Sequence, residues 1–347
     1  MKSLYESILD ATEKKVKTSK KSFGPAIKQF LKENYKGTFT VSKEPNKDGF
    51  YVVTAKKSTI LTNTMAESLT NGIFIFEDTE YDFICESSKI KTLQGAPKYV
   101  GGDFFCSWCH DLESLDGCPD EVYGNVELFG CGKLKNLIGG PNKVGRNFEV
   151  QNCKGLETLE GAPATVGGKF LTFGNTNLKT LGTKTQVVGH SFIANDCPNL
   201  VSVKGSPVVV QGDFNVNDCP KLTSLEGSPK KVGRLFCVNC TGIKTLKGMS
   251  QESYPAARDG FLDCSGTSIT SLEGMPNAME EVNCVGCTEL KTLKGCPNKI
   301  AILDCNRCVN LENIDDIPDN MHYLCITGSK VTPEYAKSIC KFSGGVE

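Results

Sequence analysis

A repeat of 22 residues runs through most of the chain and limits the folds that it can adopt. Its first clear copy occupies residues 90–112, and the leucine that ends this copy recurs every 22 residues as Leu134, Leu156, Leu178, Leu200 and Leu222. Later copies follow at spacings of 21 to 26 residues, at Ile243, Ile269, Leu290 and Leu311. A repeat of this length buries its apolar side chains by stacking on its neighbours. The sequence therefore predicts a solenoid.

Each repeat carries the same turn and strand signals. Gly117 and Pro119 turn the chain, because glycine accepts positive φ and proline fixes φ. In the strand that follows, alternate side chains face the core. The pairs predicted to be buried are Phe104 and Cys106, Val126 and Leu128, Phe148 and Val150, Phe170 and Thr172, Phe192 and Ala194, Phe214 and Val216, Leu235 and Cys237, Leu262 and Cys264, Val282 and Cys284, and Leu303 and Cys305. We expect the strands to form one long parallel sheet on the concave side, joined by irregular or 3₁₀ segments.

Four segments are predicted along the chain. Residues 1–21 form an N-terminal peptide or linker. Residues 22–71 form a small basic α+β unit with one helix and a hairpin, which we interpret as a cap, with an independent binding role as the alternative. Residues 72–331 form the solenoid of about 11–12 repeats, in which residues 72–76 are the entry strand. Residues 332–347 form a C-terminal capping helix, with Thr332 as its N-cap and Pro333 in its first turn. Residues 254–259 lie in an insertion, for which a functional loop and neutral surface variation are equal alternatives.

Charge and cysteine content restrict the environment and the partners. The net charge is −1, but residues 1–71 carry a surplus of +6 and the remainder carries −7, which argues against nucleic-acid binding by the whole chain. Eighteen cysteines that mostly occupy core positions indicate reduced thiols and an intracellular, cytoplasmic protein. No apolar run approaches the ~18 residues of a membrane span, and none resembles a leader peptide.

The residues that could carry chemistry are interpreted as structural. Pairs such as Cys106 and Cys109 have the spacing of zinc or redox sites, but the second cysteine recurs once per repeat, where a weak S–H donor can meet buried carbonyls. The three histidines, His110, His190 and His322, have no predicted partner at catalytic reach. We therefore expect no catalytic residue, no cofactor and no metal.

The outward side of the strands is the predicted binding site. It combines acidic and polar side chains with large apolar ones, a composition that favours a protein partner. We interpret this face as lacking lysine and arginine, so nucleic acid is a poor ligand for it. Self-association and packing within a larger particle are the alternatives. The candidate residues are Asp103, Phe105, Glu127, Phe129, Glu149, Leu171, Phe173, Ile193, Asn215, Phe236, Val238, Phe261 and Asp263.

The repeats over residues 82–331 resemble the leucine-rich-repeat family, in a Gly/Pro-turn variety with cysteine where the commonest repeats place asparagine. Their turns and strands are similar to repeats in proteins of bacteria and large tailed bacteriophages, and the start MKSLYESIL is similar to phage-encoded proteins. The resemblance implies a curved solenoid that recognises proteins and has no enzymatic activity. The alternative is a structural, virion-associated component docked through its N-terminal segment, which would lie in the host cytoplasm and in the particle.

Overall fold

The computed structural model describes residues 23–62, 69–70, 72–251 and 260–346. The expectations for residues 1–21 and for the insertion at residues 254–259 lie outside these ranges. The described chain is a β-solenoid of about 13 turns with a parallel sheet and few helices. Neither described helix has the length and apolar character that a membrane crossing requires.

The N-terminal cap joins a helix to a three-stranded sheet. Helix α1 (Gly24–Asn34) buries Ile27, Phe30 and Leu31. Strands β2 (Phe39–Val41) and β3 (Tyr51–Ala55) form an antiparallel hairpin, and β5 (Phe74–Phe76) lies parallel to β3. Strand β5 was expected to open the solenoid, and it belongs to the cap sheet instead.

The long sheet begins inside the segment that was predicted as a cap. Strand β4 (Thr59–Thr62) pairs in parallel with β6 (Phe83–Glu86), and β1 (Tyr35–Lys36) covers the outer edge of β4 in antiparallel orientation. The two cores are continuous, since the rings of Phe76 and Phe83 are 5.1 Å apart. The cap therefore contributes a strand to the solenoid as well as covering its end.

The middle turns each contribute two short strands in place of the single strand that was predicted. These strands form two parallel ladders side by side. The first ladder contains β7 (Tyr99–Val100), β9 (Glu121–Val122), β11 (Lys143–Val144), β13 (Thr165–Val166) and β15 (Val187–Val188). The second contains β8 (Phe104–Phe105), β10 (Val126–Glu127), β12 (Phe148–Glu149), β14 (Phe170–Leu171) and β16 (Phe192–Ile193).

In the later turns single strands run along the sheet, and all of them except β19 span both ladder positions. The remaining strands are β17 (Val209–Asn215), β18 (Lys231–Phe236), β19 (Phe261–Asp263), β20 (Ala278–Asn283), β21 (Lys299–Asp304), β22 (Asn320–Cys325) and β23 (Lys341–Val346). The pairing of β17 with β18 shifts register between Val210 and Asp213, at the step that separates the ladders elsewhere. Between residues 72 and 331 the described connections contain turns and no helix.

A glycine column allows the turns to approach closely between the two ladders. A Cβ atom on Gly167 would lie 2.1 Å from the carbonyl oxygen of Gly145, and one on Gly189 would lie 2.2 Å from that of Gly167. Real Cβ atoms do not come this close to a carbonyl oxygen, so only glycine fits. Close packing between successive turns thus explains why a glycine recurs after the valine of each first-ladder strand.

The predicted core is confirmed. All ten inward strand pairs are fully buried. Phenylalanines stack along the core, with ring centroids 5.0 Å apart for Phe148 and Phe170, 4.9 Å for Phe170 and Phe192, and 5.3 Å for Phe192 and Phe214. Each turn therefore rests on its neighbours, as a solenoid requires.

The C-terminal segment differs from the prediction in its second half. Helix α2 (Pro333–Ile339) begins as expected, because the Thr332 side chain accepts a hydrogen bond from the Tyr335 amide. The chain then enters β23, so Phe342 lies in a strand and not in the helix. Within the helix, Tyr335 is 40% exposed, whereas Ala336 is buried. Strands β4 and β23 extend the sheet beyond residues 72–331 at both ends, and the solenoid has about 13 turns.

Candidate protein-binding face

The structure brings the thirteen candidate residues together on one side of the sheet. They occupy three parallel rows, which we call the sheet face. The middle row is continuous in register from strand to strand, through Phe105, Glu127, Glu149, Leu171, Ile193, Asn215, Phe236 and Asp263. Asp103 and Phe261 belong to one flanking row, and Phe129, Phe173 and Val238 to the other.

The apolar residues of the sheet face are partly covered, although their outward position would suggest full exposure. All thirteen side chains are half-buried. Neighbouring strands in a sheet are only ~4.8 Å apart, so large side chains on successive turns cover one another. The rings of Phe236 and Phe261, for example, have their centroids 5.1 Å apart. The face is therefore a packed surface, whose aromatic side chains are held in place before any partner binds.

Trp108 is a large exposed side chain at this face that the sequence reasoning missed. Its ring is 49% exposed and lies 4.6 Å from the ring of Phe129. Trp108 follows strand β8 with φ of 61°, a left-handed conformation in which the alternation of a strand no longer applies. Asn152, Asp218 and Gly174 hold positive φ at the equivalent place in other turns. Asparagine, aspartate and glycine recur at this position, and this recurrence is the sequence signal that could have predicted the left-handed conformation of Trp108.

One end of the sheet face is acidic. Glu127 and Glu149 are direct register partners on adjacent strands, with like charges side by side. Burial raises the pKa of Glu127, and the nearby Glu149, Glu86 and Asp103 carboxylates raise it further. The charge of Glu127 is therefore incompletely compensated, and a cation of a partner would relieve the repulsion.

The interpretation that the face lacks lysine and arginine was wrong. Lys169 and Arg234 both lie in the flanking row that contains Asp103. Arg234 donates to both carboxylate oxygens of Asp213, at 2.8 and 3.0 Å, which raises the pKa of the guanidinium. Its guanidinium carbon also lies 5.5 Å from the centre of the Phe236 ring. The charge of Arg234 is thus balanced within the face, whereas Lys169 forms no ion pair with a described residue.

We expect Glu127→Gln to raise stability at pH 7 and to have little effect at acidic pH. A carboxyl group whose folded pKa is raised above its ordinary value of 4.5 stabilises the fold below that value. This contribution is lost as the pH rises through the raised pKa, whereas glutamine stays neutral throughout. The measurement is the urea midpoint of both proteins at pH 7 and pH 4.

Glu160→Gln is the matched control for this prediction, because Glu160 is exposed and lies off the sheet face. Its midpoint should follow that of the unmodified protein at both pH values. A lower midpoint for Glu127→Gln at pH 7, or an equal shift at both pH values, would show that repulsion at Glu127 is unimportant.

The cysteines lie where the repeat predicted them. None of the 18 described cysteines forms a disulfide bond, and 17 of them are buried. The recurring second cysteine donates to a carbonyl of the preceding turn, as in Cys109 to Cys85 at 2.9 Å and Cys153 to Leu128 at 2.9 Å. Asn175 replaces cysteine in one turn and donates to the Val150 carbonyl at 2.7 Å. Burial raises the pKa of Cys197 to about 11, so this thiol stays protonated at neutral pH.

Two histidines have serine partners that the sequence reasoning did not foresee. The Nδ1 atom of His190 lies 3.0 Å from Ser191 Oγ, and that of His322 lies 2.8 Å from Ser343 Oγ. Ser191 Oγ also accepts the Asp213 amide at 3.3 Å, which gives it a structural role. Within the described ranges no cluster of three or more histidine, cysteine, aspartate or glutamate residues could hold a metal ion.

Comparison with protein-family models, with characterised proteins and with solved structures gives no match for this chain. The leucine-rich-repeat and bacteriophage resemblances therefore stay predictions. The coarser class, a parallel β-solenoid, rests on the strand pairing alone.

Proposed function

We propose that the chain is a non-catalytic binding protein that recognises a protein partner through the sheet face. The observation that carries the proposal is a continuous row in which acidic side chains lead into Leu171 and Ile193 and then to Phe236, whose ring packs against that of Phe261 in the flanking row. The face extends over eight strands, which corresponds to roughly 35 Å. Large apolar side chains held in place by their neighbours lose little conformational entropy on binding.

The charge distribution indicates what the partner presents. Basic side chains would meet the end that contains Glu127 and Glu149, and apolar side chains would meet Leu171, Phe173 and Ile193. Eighteen cysteines that form no disulfide bond, 17 of them buried, support a reducing, intracellular compartment for this encounter. The leucine register supports placing the solenoid in the leucine-rich-repeat class as part of the same proposal.

The test is a pull-down from the source organism with a variant in which Phe105, Phe173 and Phe236 are all replaced by alanine. We expect the unmodified protein to capture one partner and the variant to lose it, with at least tenfold weaker binding once the partner is purified. A matched control replaces Tyr123, Ile138 and Val309, which are exposed apolar residues off the sheet face, by alanine. This control should bind normally.

Circular dichroism and gel filtration establish that both triple variants are folded. If both variants capture the same partner or particle as the unmodified protein, the sheet face is not the binding site. Loss of partner binding in both variants would also contradict this assignment, because the loss would then not be specific to substitutions on the sheet face.

A further inference from the structure

A groove on the cap lies between helix α1 and the edge strand β2. It has a volume of about 390 Å³ and opens to solvent. The helix contributes one wall and the strand the other. The side chains that define it are Lys28, Leu31, Lys32, Lys36, Phe39 and Val41. The groove thus combines an apolar floor with a basic rim.

Strand β2 has an edge along this groove that pairs with no strand in the described part of the chain. Among the described strands it pairs only with β3. The Ser42 amide donates to Val52 and the Lys56 amide donates to Thr38, so residues 38, 40 and 42 direct their backbone groups towards β3. In an antiparallel pair, the residues between these direct their backbone amide and carbonyl groups away from the partner strand. The amide and carbonyl groups of Phe39 and Val41 therefore point to the open edge, where another strand could pair.

The rim is positive and has no partner among the described residues. Lys28, Lys32 and Lys36 are spaced four residues apart, all three are exposed, and none forms an ion pair with a described residue. A second copy of the same edge is a poor occupant, because pairing two such edges would bring the lysines of both copies together. The charge instead favours an acidic occupant.

We propose that this groove binds an extended, acidic peptide segment of a partner protein. The segment adds to β2 as a further strand, and its backbone pairs with Phe39 and Val41. Its carboxylates face the three lysines, and an apolar side chain rests on Leu31 and Phe39. Strand addition in a groove beside a helix supplies affinity through the backbone and specificity through alternate side chains. This site is separate from the sheet face.

The test measures binding of a fluorescently labelled, end-blocked peptide of seven alternating glutamate and valine residues to the full chain by anisotropy. We expect saturable binding that weakens with salt. Replacing Lys28, Lys32 and Lys36 by glutamate should weaken it at least about tenfold. The matched control replaces Lys154, Lys184 and Lys244, which are exposed on the solenoid, by glutamate and should bind normally. A lysine and valine peptide should not bind.

Two further measurements test strand addition itself. A probe with N-methylated backbone amides should lose binding, and Val41→Pro, which removes an amide at the open edge, should do the same while the circular dichroism spectrum is retained. Equal losses in the groove and control lysine variants, or normal binding to Val41→Pro, would overturn the proposal. The variant of Phe105, Phe173 and Phe236 should bind the probe normally, so failure of either proposal is distinguishable from failure of the other.

Discussion

Replacing Phe170 with alanine is expected to lower the free energy of unfolding by about 3–5 kcal/mol. The Phe170 side chain is fully buried, and its ring lies between those of Phe148 and Phe192, at 5.0 and 4.9 Å. Its removal would leave a cavity that the closely stacked turns cannot close. Urea denaturation followed by circular dichroism measures the change.

Leu171→Ala is the control for this prediction. Leu171 is the next residue in the same strand, but its side chain points to the sheet face and is half-buried. Its replacement should cost about 1 kcal/mol. Trp108 is the only tryptophan, so its fluorescence adds a local measure of unfolding several turns away. If both variants lost the same stability, the assignment of inner and outer sides would be wrong.

Gly167→Ala is expected to destabilise the fold by about 1–3 kcal/mol, although it adds only one methyl group. The new Cβ atom would stand 2.1 Å from the carbonyl oxygen of Gly145, which belongs to the preceding turn. To relieve this contact the two turns must separate, and the strand pairs on either side would be strained. The urea midpoint measures the effect.

Gly132→Ala is the matched control for the glycine column. A Cβ atom at Gly132 has no heavy atom within 4 Å, so this change should stay within about 0.5 kcal/mol. An equal loss of stability in the two variants would contradict close packing between turns as the reason for the glycine at position 167.

Several features could be predicted from the sequence because two simple periods determine them. The 22-residue period places equivalent residues on top of one another, and the two-residue period of a strand separates inner from outer side chains. These periods located the buried strand pairs, such as Phe104 and Cys106. They also located the cysteines, such as Cys153, that donate to a carbonyl of the preceding turn. They also placed the thirteen face residues on one side of the sheet.

Other features depended on contacts that no local pattern describes. Strands β4 and β23 carry none of the repeat signals, yet both join the sheet because its terminal strands offer unpaired backbone groups. Trp108 reaches the face through a left-handed backbone conformation that is usual for glycine or asparagine. The half-burial of Phe236 results from a neighbour 25 residues away in the chain, Phe261.

The sequence by itself determined that this chain stacks repeated turns and which side chains lie inside them. A repeat specifies how each turn packs on the next, and this packing is the same wherever the repeat occurs. Only the tertiary structure decided where the stack ends, how far the face residues are covered and that one edge of β2, beside Lys28, Lys32 and Lys36, pairs with no described strand. These properties depend on distances between segments of different sequence, and such distances exist only after the turns have packed.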